Sequence, residues 1–207
     1  MIKNHIVERD SYLNETMRFI NSTTLEINRE VSDLDKLALD FTTILEKYTP
    51  YVIVSGYVSI LLGRARASED IDIIIPKIDL PTLKKLVRSL KENGFSCINE
   101  QKVSDIFECL KEGIAVRFAR QNIIIPNIEM KWEKNDVDHL ALSKTITVQL
   151  PQGTLRISHL ELQIAFKQMV LKSPKDLEDA RHLELVAEKY LDKKLIKKYK
   201  EMLRDFH

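Results

Sequence analysis

The run Asp70-Ile-Asp-Ile-Ile-Ile75, stopped by Pro76, sets the tightest limit on what this chain folds into. Its β-branched residues favour an extended backbone, and a proline cannot donate to the ladder that would prolong it. Side chains alternate along a strand, so Asp70 and Asp72 point to one face. Two carboxylates side by side repel, and burying them unpaired is costly. On a solvent-facing strand a pair of aspartates is ordinary. Here they interrupt an apolar strand, Ile71 and Ile73 to Ile75, instead of alternating with polar residues. The run therefore predicts a buried strand whose two acids share a polar site.

A second apolar run, Tyr51-Val-Ile-Val-Ser55, reads as a buried strand just upstream. Gly56 breaks it. Residues 57–62 read as a brief helix ending at Gly63, and a polar loop over 64–69 leads into the acids. Further elements follow from period and punctuation. Residues 12–20 fit a short helix, and 24–28 alternate as an edge strand. Ser32 or Asp33 caps a helix to about residue 47, with Leu34, Leu37, Ala38, Phe41, Ile44 and Leu45 on one face. Asp79 caps another, with Pro81 in its first turn and Gly94 at its end. Residues 95–119 read as strands around a Lys111-Glu-Gly113 hairpin turn. Residues 127–132 form a strand, and 145–150 and 154–157 flank a Pro151-Gln-Gly153 hairpin. The last fifty residues are helical. Ser158 with Glu161, and Ser173 with Asp176, each open a helix as a capping box, and a basic helix fills 192–204. The expected fold is α/β (α+β), a mixed sheet flanked by helices. Residues 1–157 form the core with its N-terminal extension, and 158–207 a helical C-terminal region.

Composition excludes several classes. Apolar residues are 44% of the 207, enough for a core, and 32 basic residues against 31 acidic leave a net charge of +1. Affinity for a polyanion must then be local. Cys97 and Cys109 form no C-x-x-C spacing, which argues against a zinc site or a disulfide framework. No apolar run approaches the ~20 residues of a membrane span. The first residues lack a signal-peptide stretch. The expectation is a soluble cytoplasmic protein.

Divalent cations resolve the repulsion at Asp70 and Asp72. Mg²⁺ favours carboxylate oxygen, water and substrate phosphate, with Mn²⁺ the alternative. Two such ions ~3.5–4 Å apart clamp the attacking and leaving oxygens of an in-line displacement. The helix behind Gly56 presents backbone N–H groups suited to phosphate. Arg64 and Arg66, on the loop before the acids, are placed to neutralise triphosphate oxygens. A glycosyltransferase D-x-D also holds a metal, but the short chain and the Gly56 turn immediately upstream disfavour that reading.

The pattern hydrophobic-Gly-(Gly or Ser), about ten residues, then D-h-D resembles the nucleotidyltransferase superfamily related to DNA polymerase β. VIVSGYVSILLGRARASEDIDIII looks like an uncharacterised archaeal branch, similar in turn to abortive-infection nucleotidyltransferase toxins. NIEMKW, LRISHLELQIAFK and KDLEDARHL extend the resemblance over roughly residues 50–185. It implies transfer of a nucleoside monophosphate from an NTP to a hydroxyl of RNA, a protein or a small molecule. A partner protein or self-association is also in keeping with the toxin-like relatives. The family's third carboxylate lies in hydrophobic-acid-hydrophobic on a later strand. Ile128-Glu129-Met130 fits best, Phe107-Glu108-Cys109 also fits, and Val116-Arg117-Phe118 occupies a strand where some relatives carry the acid. The resemblance thus makes Asp70, Asp72 and Glu129 the metal ligands, with Glu129 also taking the hydroxyl proton. Tyr57 stands where the pattern has a small residue, leaving Ser55 or Ser59 to reach the phosphates beside Gly56. A lysine followed by K-D-x-x-D bears on the active site in the toxin-like relatives. Carried over, Lys167 is catalytic, Lys175 contacts phosphate, and Asp176 and Asp179 brace them. A nucleotide- or partner-binding protein that kept the fold without catalysis is the competing reading.

Overall fold

The computed structural model describes residues 16–68 and 70–206. Nine strands form one mixed sheet: β1 (Met17–Asn21), β2 (Thr24–Ile27), β3 (Val52–Val54), β4 (Asp70–Ile75), β5 (Phe95–Cys97), β6 (Val116–Arg120), β7 (Asn127–Trp132), β8 (Thr145–Leu150) and β9 (Gly153–Ser158). Their spatial order is β1-β2-β8-β9-β3-β4-β7-β6-β5. Among the described residues eight α-helices flank the sheet: α1 (Asp33–Leu45), α2 (Gly56–Leu61), α3 (Leu80–Glu92), α4 (Val103–Lys111), α5 (Asp136–Ser143), α6 (Leu160–Phe166), α7 (Pro174–Val186) and α8 (Lys193–Met202). A π-helical turn, Lys167–Leu171, continues α6.

Strand periodicity divides the interior into two layers. Ile53, Ile71, Ile73, Ile75, Ile128, Met130 and Trp132 face the main core, which also takes apolar residues of α1, α3 and α4. Val52 and Ile74 face the opposite side and pack with Val137 and Ala141 of α5, Leu162 and Ala165 of α6, and Tyr199 of α8. Asp70, Asp72, Asn127, Glu129 and Lys131 share that second face by parity, so the polar site lies between the sheet and the later helices.

Several local expectations hold. Ser32 caps α1 in a capping box with Asp35, and Asp79 caps α3. Others are corrected. Residues 17–20 are strand, not helix, and 12–15 lie outside the described residues. The strand from Thr24 is not at the edge, because β1 covers one side and β8 pairs in parallel on the other. The stretch read as strands over 95–119 contains α4. Val103, Ile106, Phe107 and Leu110 recur at helical spacing and pack inward. Gly113, at φ 78°, follows the end of that helix instead of turning a hairpin. Ser158 is the last residue of β9, and His159 takes the N-cap position of α6, so no capping box forms there. Glu161 instead accepts the Asp192 N–H at 3.0 Å, tying α6 to the start of α8. No helix among the described residues is long and apolar enough to cross a membrane.

Candidate metal centre

Three carboxylates converge on the second face of the sheet. Asp70, Asp72 and Glu129 each offer an oxygen, and these oxygens lie within 4.8 Å of one another. Register produces the cluster: β4 and β7 are parallel, with Asp72 opposite Glu129 and Asp70 opposite Asn127. The row continues to Val54 on β3 and to Arg117 on β6. Arg117 Nε donates to Glu129 Oε2 at 3.1 Å. Glu108, the other candidate third acid, sits on α4, pairs with Lys111 and takes no part.

The donor set fits a hard divalent cation, being three carboxylates with partly exposed faces that leave room for water. Its electrostatics point the same way. Burial, then the charges of Asp70 and Glu129, push the Asp72 carboxyl up to about 6, against a smaller opposing pull from the Ser55 side chain. An acid so perturbed by like charges is relieved by a cation.

A cavity of about 300 Å³ opens beside Asp72 and Glu129. Val54, Ile74, Val137, Ala141, Leu162 and Phe166 make its apolar wall, and Ser55, Lys131, Asp138 and Gln163 its polar points. Lys131 Nζ donates to Asp138 Oδ1 at 3.3 Å.

The Ser55-Gly56 turn joins this site to a second charged cluster. Ser55 holds φ 67° and ψ −135°, a region that favours glycine. The sequence places the turn at Gly56, but the positive φ falls one residue earlier. Gly56 instead lies close to the Arg66 guanidinium: a Cβ there would stand 3.0 Å from it, so the arginine would have to give way. Arg64 Nε and Arg66 Nη1 donate to the two Asp179 oxygens at 2.5 Å each, and Lys167 Nζ reaches Asp179 Oδ2 at 2.9 Å. Asp176 Oδ1 stands 3.6 Å from Lys167 Nζ. Burial alone would raise the Asp179 carboxyl, but Lys167, Arg64 and Arg66 outweigh it and hold it below its ordinary value.

Arg64, Arg66, Lys167, Asp176 and Asp179 are thus brought together, while other expected residues stand elsewhere. Lys167 is 1% exposed and enclosed by carboxylates, so its partner is Asp179 and not an open phosphate site. Lys175 is exposed at the start of α7 and outside this network. Ser59 is fully buried inside α2, so its hydroxyl does not face the cavity. Tyr57, standing where a small residue was expected, causes no obstruction. Its side chain turns into the main core and its hydroxyl donates to Asp35 Oδ1 at 2.6 Å. Sequence reasoning missed Gln163, whose Oε1 accepts the Ser55 N–H at 2.9 Å. It also missed the pairing of Arg117 with Glu129, for which the only signal was a charged residue alternating with apolar ones on β6.

No family model matches the chain, and no curated protein matches it. Among solved structures it is similar to an antigenic nucleotidyltransferase-like protein from Paracoccidioides brasiliensis, at 14% identity and TM-score 0.47 over 81% of this chain and 85% of that one. It is also similar to JHP933 from Helicobacter pylori, at 18% identity and TM-score 0.42 over 84% and 75%. A third is a nucleotidyltransferase from H. pylori described as putative in its source, at 17% identity and TM-score 0.30 over 84% and 92%.

Proposed function

We propose that the chain is a metal-dependent nucleotidyltransferase that moves a nucleoside monophosphate from an NTP to a hydroxyl. The observation that carries this reading is the trio of carboxylate oxygens within 4.8 Å beside a cavity. Asp70, Asp72 and Glu129 would hold Mg²⁺ or Mn²⁺, which when bound supplies Lewis acidity and charge neutralisation for in-line displacement. The acceptor oxygen forms a bond to the α-phosphorus, and the bond from that phosphorus to the bridging oxygen breaks. Pyrophosphate leaves, and the acceptor proton passes to Glu129, whose carboxylate Arg117 holds in place. Arg64 and Arg66 keep N–H donors beyond those bound to Asp179, and these would meet the charge that develops on pyrophosphate. The acceptor belongs to one of three classes: RNA, a protein hydroxyl or a small molecule.

A second reading, nucleotide or partner binding without turnover, draws on one observation: Asp179 takes a bond from each of Arg64, Arg66 and Lys167, leaving that cluster internally satisfied. Incubation with each labelled NTP, Mg²⁺ or Mn²⁺, and total RNA or candidate proteins decides between them. Metal-dependent label transfer that Asp72→Asn abolishes supports the enzyme. Metal-dependent NTP binding without transfer to any acceptor or release of pyrophosphate supports the second reading.

A further inference from the structure

Ser55 carries more of this site than its size indicates. Its backbone sits at φ 67°, where any residue with a Cβ is strained. Such a conformation persists only where neighbours over-determine it. One neighbour is local: Tyr57, two residues on, is anchored in the core by its bond to Asp35. The other comes from 108 residues away, where Gln163 on α6 accepts the Ser55 N–H at 2.9 Å. Gln163 is itself buried among the apolar residues of α6 and lines the cavity with Asp72. Ser55 in turn follows Val54, which pairs with Asp72 across β3 and β4, and it lines the cavity beside that acid. A continuous path therefore runs from α6 through Ser55 to the central acid.

We infer that Gln163 is a positioning residue for the metal-holding acids: it fixes the left-handed turn at Ser55, and that turn fixes the Asp72 carboxylate. The inference rests on the reading of Asp70, Asp72 and Glu129 as ligands of a divalent cation. It assigns α6 a task apart from closing the second core. It also separates Gln163 from a residue that contacts ligand directly, because its effect must pass through the backbone at position 55. A glycine there adopts the same φ without strain and has little need of the restraint.

The test is a double-mutant cycle read by Mn²⁺ binding to the nucleotide-free protein, followed by electron paramagnetic resonance. Gln163→Leu keeps the volume and removes the acceptor. It should weaken Mn²⁺ binding about tenfold in the Ser55 protein, the scale of one lost acceptor to a partly buried N–H. In the Ser55→Gly background the same change should cost about twofold or less, since coupled residues are non-additive. Melting temperatures identify any variant that fails to fold, and Gln163→Met then replaces the leucine. Equal loss in both backgrounds, or no loss in the Ser55 protein, overturns the inference while leaving the metal site intact. Absence of Mn²⁺ binding by the unaltered protein overturns the metal reading and this inference with it.

Discussion

The two charged clusters beside the Ser55-Gly56 turn are balanced in opposite ways. Asp70, Asp72 and Glu129 set three negative charges together with Arg117, the one cation bonded to them among the described residues, and Asp72 is pushed toward its neutral form. Arg64, Arg66 and Lys167 set three positive charges around Asp179 and Asp176, and Asp179 is held ionised. Nearly the same number of charges yields frustration in one place and mutual satisfaction in the other. A buried charge left unpaired is costly, so the frustrated cluster is the one that a cation from outside the chain would relieve. The satisfied cluster instead clamps the loop before β4 to α7, holding the acids' strand against the C-terminal helices.

Exchanging one acid from each cluster should sharpen that contrast most. Asp72→Asn is expected to lower metal-dependent NTP turnover by at least about a thousandfold, roughly 4 kcal/mol of barrier. Its melting temperature without metal should hold or rise, because a repelled, desolvated carboxylate has gone. Asp179→Ala should do the reverse to stability. It strands Lys167, which is 1% exposed, and the destabilisation should be about 3–5 kcal/mol, or on the order of 10 °C. Denaturation and turnover assays on both variants check the pair. If Asp72→Asn unfolds the protein as readily as Asp179→Ala, the two clusters do not differ in kind.

The difference between the clusters also marks what the sequence made legible. The acids were readable because chemistry and pattern coincide in them: carboxylates interrupting Ile71 and Ile73 on β4, and Glu129 between Ile128 and Met130 on β7. The partners of those acids depend on register, which no local pattern states. Arg117 meets Glu129 only because β6 and β7 pair as they do, and Gln163 reaches Ser55 across 108 residues. A glutamine in an amphipathic helix has no chemical signature of its own. The same limit applies to the fold. Hairpin β8–β9 announces itself through Pro151-Gln-Gly153, whereas α4 was absorbed into the short apolar strands on either side of it. The parallel pairing of β2 with β8 joins segments about 120 residues apart and leaves no local trace.

Between the clusters in expected effect stand the arginines. Arg64→Ala and Arg66→Ala should each weaken metal-dependent NTP binding by about 1.5–3 kcal/mol, the worth of a charge-assisted contact. Each guanidinium has N–H donors beyond the one given to Asp179, so engaging phosphate need not break the clamp. Lys175→Ala, exposed and outside the network, should change affinity less than about twofold. Isothermal titration with an NTP and Mg²⁺ compares all three. An equal loss at Lys175 would mean that long-range charge, and not the placement of the arginines, supports binding.

The smallest expected effect follows from the state of Asp72. Its carboxyl is raised in the fold from 3.8 to about 6, chiefly by burial and then by Asp70 and Glu129. Below about pH 4 the folded and unfolded chains both carry the proton, and the group leaves stability unchanged. As pH rises from about 4 to 6 the unfolded chain releases that proton first, so the folded state binds more protons and stability from this group falls. It remains lost above 6. A divalent cation binds the ionised form and must displace the proton, so its affinity should drop up to about tenfold per pH unit below 6. Mn²⁺ should therefore raise the melting temperature by several degrees near about pH 7.5 and by much less near about pH 5. Asp72→Asn should remove both the cation's effect and its pH dependence, whereas Asp179→Asn should lower the melting temperature and leave the difference between the two pH values in place. A cation-induced shift of equal size at both pH values would show that the ion binds somewhere other than the frustrated trio.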